Sequence, residues 1–108
     1  MSRYKSVVLS FNSDELEGDF YSQLSFKDCE PLRKIDAWLK RRGYDPLAPF
    51  RPSLGSNAIL FGGCYNKLDI DKFCKFVQKL NWGSLEDVQI LYWDEEDSKF
   101  SVIGFPLA

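Results

Sequence analysis

Histidine is absent from the 108 residues, and that absence removes more chemistry than any single residue supplies. Without it there is no Ser/His or Cys/His nucleophile pair and no zinc site that draws on an imidazole. Carboxylates, lysines, tyrosines and cysteines remain, so enzyme chemistry is narrowed and not abolished. Cysteine is scarce too: Cys29, Cys64 and Cys74 are an odd number, with no CxxC spacing and no signal-peptide pattern ahead of them. Such usage points to unbridged thiols in a reducing, cytoplasmic setting. No apolar run approaches the roughly 20 residues of a membrane-spanning helix, so a soluble chain with no membrane partner is expected. A net charge of −2 lacks the concentrated positive field that nucleic acid usually requires, and the balance argues against that partner.

Recognised catalytic and metal motifs are missing as well. Neither GxGxxG nor GxxxxGK[ST] occurs, and no EF-hand spacing is present, so no cofactor and no metal is expected. There is no internal repeat, low-complexity tract or linker. A chain of this length fits one compact domain, residues 1–108, that buries roughly two thirds of its unfolded surface. Aromatic residues make up 16% of it, enough large side chains to build a core and to argue against disorder.

The segment Asn57-Ala58-Ile59-Leu60-Phe61 is a continuous apolar run of strand formers, which suits a strand buried on both faces. It is expected to be the central strand, extending over about 57–65. After Gly62 and Gly63 the hydrophobic period changes to 3.6, with Ile70, Phe73, Cys74, Val77 and Leu80 on one side and Lys72, Lys75, Gln78 and Lys79 on the other. Asp69 caps this amphipathic helix and Asp71 complements its dipole. Residues 88–93 and 99–105 read as a strand pair around Asp94-Glu95-Glu96-Asp97-Ser98, a C-terminal hairpin with an acidic loop. Tyr4 to Phe11 opens the chain with another strand. Residues 12–26 hold either a second strand near 20–26 or a short helix over 14–24. Asp28, Pro31 and Gly43 bound a first helix with Leu32, Ile35, Trp38 and Leu39 as its buried stripe. Tyr44 is placed to pack back on its last turn. Between Asp45 and Ser56 the prolines make a stiff loop, a lid with Leu47 and Phe50 packed down or a binding loop.

The fold class that follows is α/β (α+β): one two-layer sandwich, a mixed sheet of four to five strands with two helices on one face. Right-handed crossovers imply parallel strand–helix–strand units. The strands near 57–65 and 88–93 then end at the same end of the sheet, which brings Gly62–Lys67 near Trp93–Asp97. In open α/β sheets ligands bind outside the carboxyl ends of strands, so a site belongs there.

Three candidate sites compete. Asp94, Glu95, Glu96 and Asp97, flanked by Trp93 and Phe100 and with Tyr65 and Lys67 beside them, form an acidic, aromatic docking loop for a basic protein surface. The plainer reading is a solvated turn that discourages edge pairing. The expected activity is non-enzymatic protein binding by occlusion, of inhibitor, immunity or adaptor type. The alternative is a small-molecule-binding or enzymatic domain with its pocket near Gly62-Gly63 and the Pro46–Pro52 loop. A third site is the basic cluster Arg33, Lys34, Lys40, Arg41, Arg42 and Arg51, contacting RNA or an acidic partner. Lys40 to Arg42 also simply complement the helix dipole and the last carbonyls. Among the thiols, Cys29 near a helix start is the one placed for a lowered pKa, though Asp28 and Glu30 oppose it; Cys64 and Cys74 read as core residues.

Overall fold

The computed structural model describes residues 4–12, 29–49, 58–94, 96 and 99–107. Its elements, in chain order, are β1 (Tyr4–Asn12), α1 (Glu30–Arg41), β2 (Ala48–Pro49), β3 (Ala58–Asn66), α2 (Ile70–Gln78), a 3₁₀ turn (Leu85–Asp87), β4 (Gln89–Asp94) and β5 (Ser101–Gly104). The expected strand or helix within 12–26 lies outside the described residues beyond Asn12, as does Phe50 of the expected lid.

The strands form one sheet in the order β2-β3-β1-β4-β5, and every adjacent pair is antiparallel. The two-layer α+β sandwich with a C-terminal hairpin is therefore present, with an antiparallel sheet in place of a mixed one. The physical reason is the position of β1. Val7, Leu9 and Phe11 alternate with half-buried residues, and β1 pairs with β3 on one side and β4 on the other. It occupies the centre that was expected for β3. The β3–α2–β4 connection still returns the chain in the same direction, but β1 lies between the two strands, a split β-α-β unit.

Both helices cover one face of the sheet. That face is built from Val7, Leu9 and Phe11 of β1, Ile59, Phe61 and Tyr65 of β3 and Ile90 of β4, joined in one core with Leu32, Ile35, Trp38 and Leu39 of α1 and Phe73, Cys74 and Val77 of α2. Phe11 stacks on Phe61 with ring centroids 5.8 Å apart, and Trp82 packs on Phe11 at 5.5 Å while its indole N–H donates to the Val77 carbonyl at 2.9 Å. Trp38 joins the helices, edge-on to Phe73 and stacked on Phe76.

The helix ends follow from their sequences. Gly43 adopts φ +82°; its N–H reaches the Lys40 carbonyl and the Tyr44 N–H reaches that of Leu39, each at 3.0 Å. These are the two bonds of a Schellman motif, and the left-handed residue in it favours glycine. The N-cap of α1 is Cys29 and not Asp28, and its side chain makes no capping bond. Asp69 caps α2 as its position implies, accepting from the Lys72 N–H at 3.1 Å. Leu47 is buried, held by its N–H on the Asp36 carboxylate at 3.1 Å. Beyond β5, Phe105 enters the core and the Leu107 N–H donates to Gln78 Oε1.

Gly63 marks a close approach within β3: a Cβ there would lie 2.4 Å from the Tyr65 hydroxyl, whereas one at Gly104 would meet nothing within 4 Å. Gly63→Ala is expected to lower unfolding free energy in urea by about 1–3 kcal/mol, as overpacking does. Gly104→Ala, with open space around it, should cost far less in the same experiment.

Candidate functional site

The carboxyl ends of β3 and β4 lie at one end of the sheet. Lys5 stands opposite both Tyr65 and Asp94 in the ladder, so those two residues are two strand spacings, about 10 Å, apart. Of the segments expected to approach one another, Gly62–Lys67 and Trp93–Asp97, the described residues Tyr65 and Trp93–Asp94 lie at the same end of the sheet, with β1 inserted between them.

Strand alternation splits the candidate residues between two environments. Tyr65 and Asp94 point to the helix-covered side and are only 3% and 8% exposed. The Tyr65 ring lies across Gly63 and meets Tyr44 edge-on at 5.4 Å. Its hydroxyl is buried without a hydrogen-bond partner, as is Oδ1 of Asn66. Burial first, then the nearby Asp36 and Asp45 carboxylates, push the Tyr65 phenol far above its ordinary range; it stays neutral and is no proton carrier at physiological pH. Asp94 Oδ1 accepts from the Glu96 N–H at 3.3 Å, which starts the turn of the hairpin. Lys67 is exposed and takes the left-handed conformation, φ 60°, in the turn into α2. Trp93 is half-buried on the other side of the sheet, opposite Ser6, and Glu96 is exposed. Glu95 and Asp97 lie outside the described residues.

On the face that neither described helix covers, the register draws an apolar row across all five strands: Ala48, Gly62, Val8, Leu91 and Val102. The next row toward the acidic end is Cys64, Ser6 and Trp93. Continuing the β4–β5 register by one residue sets Phe100 opposite Trp93. The exposed large hydrophobic residues among those described are Tyr4 at 47%, Phe100 at 47% and Val102 at 60%. Tyr4 and Val102 have the parity of this face, and Phe100 sits at the hairpin beside it. An alternating strand signals one buried and one open face, but which face closes depends on where the helices pack.

The other candidates resolve differently. The glycine pair is inside β3, in ladder with Val8 and Val7, and is not a phosphate-binding turn. The space over Gly63 is filled by the Tyr65 ring. Cys29 and Cys74 are buried and Cys64 is exposed, because even positions of β3 face the open side; the expectation of a core thiol at 64 is corrected accordingly. Burial, aided by Asp71, pushes the Cys74 thiol up to about 11, so it is inert at neutral pH. Arg42 lies 3.7 Å above the Trp38 ring centroid and donates to the Trp38 carbonyl at 3.3 Å. That is the helix-end role, and Lys34 is paired with Glu30 at 3.0 Å. Arg51 lies outside the described residues. Tyr44 reaches past its own helix and donates to the Asn66 carbonyl at 2.7 Å.

Among the described residues no group of His, Cys, Asp and Glu side chains could hold a metal, and no helix is long and apolar enough to cross a membrane. No family model, curated protein or solved structure matches this chain.

Two measurements follow from these environments. Lys67→Gly removes the Cβ from a left-handed residue, where a non-glycine costs roughly 1–2 kcal/mol, and after the greater backbone entropy of glycine the net gain in urea unfolding should reach about 1 kcal/mol at most. Desolvation raises the Asp36 carboxyl above its ordinary 3.8 against the opposing Leu47 N–H. The folded protein then holds this proton to a higher pH than the unfolded chain, so the Asp36 contribution weakens the fold as pH rises from below 3.8 through the folded value. Asp36→Asn keeps an acceptor for Leu47 and removes the titration. Its stability relative to the wild type should rise across that pH window and level off above it.

Proposed function

We propose that this protein is a non-enzymatic binding module that acts by occlusion, as inhibitors, immunity-type proteins and adaptors do, and that it docks a protein with a basic surface. The docking surface is the side of the β4–β5 hairpin that neither described helix covers: Trp93, Phe100 and Val102, with Tyr4 on the same face and Lys67 and Glu96 exposed at that end; Glu95 and Asp97 add acid next to Glu96 in sequence. The observation that carries the reading is that the exposed large hydrophobics, Tyr4, Phe100 and Val102, fall on one face of the sheet, Phe100 and Val102 on the hairpin whose turn carries the exposed Glu96. Exposed apolar groups rimmed by charge suit a protein interface, whose centre is aromatic and whose rim is polar. Carboxylates around the rim steer a basic partner and speed its encounter. Tyr65 and Asp94, being buried, support this surface from behind and do not touch the partner. The unbridged thiols fit a cytoplasmic workplace.

The test is capture from lysate by tagged protein, run at low and high salt with nuclease treatment, beside the double variant Phe100→Ser/Val102→Ser. Each change is at an exposed position and should alter stability by only about 0.5 kcal/mol. The wild type should retain a stoichiometric, nuclease-resistant protein whose capture falls with salt, and the variant should lose it by ten-fold or more. Equal capture by folded variant and wild type would move the interface elsewhere, and recovery of nucleic acid alone would replace the reading.

A further inference from the structure

We infer that the partner presents an extended, basic segment that joins the sheet as a sixth strand along β5, which rests on the docking reading above and names what docks. The two edges of the sheet differ. At one, β2 is only Ala48–Pro49, and its proline has no N–H to offer a new strand, a common means of blocking an edge. At the other, β5 is Ser101-Val102-Ile103-Gly104, the last strand in the sheet order, with neither proline nor charge within it. Ser101, Val102 and Gly104 are exposed. Among the described residues no strand pairs with its outer side. Its alternate backbone N–H and C=O groups therefore form a template that an extended chain can complete, with main-chain bonds giving affinity and side-chain alternation giving register.

Side chains define the occupant. The apolar row that crosses the sheet ends at Val102, so the residue of a sixth strand beside Val102 is apolar. Both ends of the β4–β5 hairpin carry exposed acids: Glu86 and Asp87 in the 3₁₀ turn before the Gln89–Gly104 pair, and Glu96 in the turn after β4. Between Ser84 and Leu107 there are six carboxylates and one lysine, Lys99. Whichever way the added strand runs, its ends meet negative charge, which selects an apolar centre with arginine or lysine toward the ends. A second copy of this chain is the poorer complement, because its β5 edge brings the same acid-rich hairpin with it.

The test is an NMR titration of the uniformly ¹⁵N-labelled full chain with a short capped peptide of alternating arginine and valine, and with its glutamate counterpart. The arginine peptide should shift the amides of 101–104, slow hydrogen exchange at alternate ones, and bind at least roughly ten-fold more tightly than the glutamate peptide, as opposite charge at the rim predicts. Glu95→Gln/Glu96→Gln/Asp97→Asn should shrink that discrimination while the 101–104 shifts persist. Equal binding of the two peptides overturns the basic character. Shifts at Leu91 and Trp93 with 101–104 unmoved overturn strand addition while leaving the open face as the docking surface. Shifts at 101–104 on raising protein concentration alone make a second copy the occupant and overturn the inference. No shift with either peptide also overturns it, and the docking reading is then decided by whether the Phe100/Val102 variant loses its captured partner.

Discussion

The pairing of β1 with two strands at once is the constraint on which the molecule depends. Val7, Leu9 and Phe11 point to one side, and their ladder partners on β3 and β4 bring Phe61, Ile59 and Ile90 to that side with them. A slip of one residue in either ladder would turn that strand's apolar set toward water. With β1 in the centre, β3 and β4 must run in the same direction without touching, and α2 must cross over the strand between them. The position of Trp82, sealed over Phe11 and bonded to the end of α2, is a consequence of that crossing.

A sheet covered on one side has two kinds of residue at each end of its strands. Neighbours in sequence such as Trp93 and Asp94 therefore belong to different surfaces: one borders the open face and the other lies against the helical layer. The acidic run is in this way continuous in sequence and divided in space. Its buried member, Asp94, organises the turn through the Glu96 N–H, while Glu96 itself is exposed. The open face gains its apolar character from residues that neither α1 nor α2 covers, and Glu96 adds charge at the turn after β4.

Local chemistry was the readable part of the sequence. The amphipathic period of α2, its Asp69 cap and the Gly43 stop all depend on residues within a few positions of one another, and each stands in the structure. Strand order depends on pairing between distant segments, which hydrophobic period does not encode. The unbroken run Ile59-Leu60-Phe61 looked more central than Val7-Val8-Leu9, yet the outer neighbour of β3 is the two-residue β2. The directional inference for β3 and β4 held because it needs only an odd number of reversals between each of them and β1. Tyr65 and Asp94 share one end of the sheet with Trp93, yet both lie against the helices and Trp93 does not, since parity relative to the helices is set by packing. Phe100 is marked in the sequence as the aromatic that closes the acidic run, whereas Val102, the most exposed of the described large hydrophobics, carries no signal beyond strand propensity.

The central strand precedes both of its ladder partners in the chain. Lys5 and Asp94 are ladder partners although most of the sequence lies between them. Pairings of such long sequence separation are closed late, after their loop entropy has been met, and they slow folding relative to helical proteins of the same size. On the ribosome β1 has no second neighbour until α2 and β4 have followed it out, and during that interval Val8 and its fellows present an unfilled edge. The architecture that leaves β5 available in the finished protein thus leaves β1, for a time, available in the unfinished one.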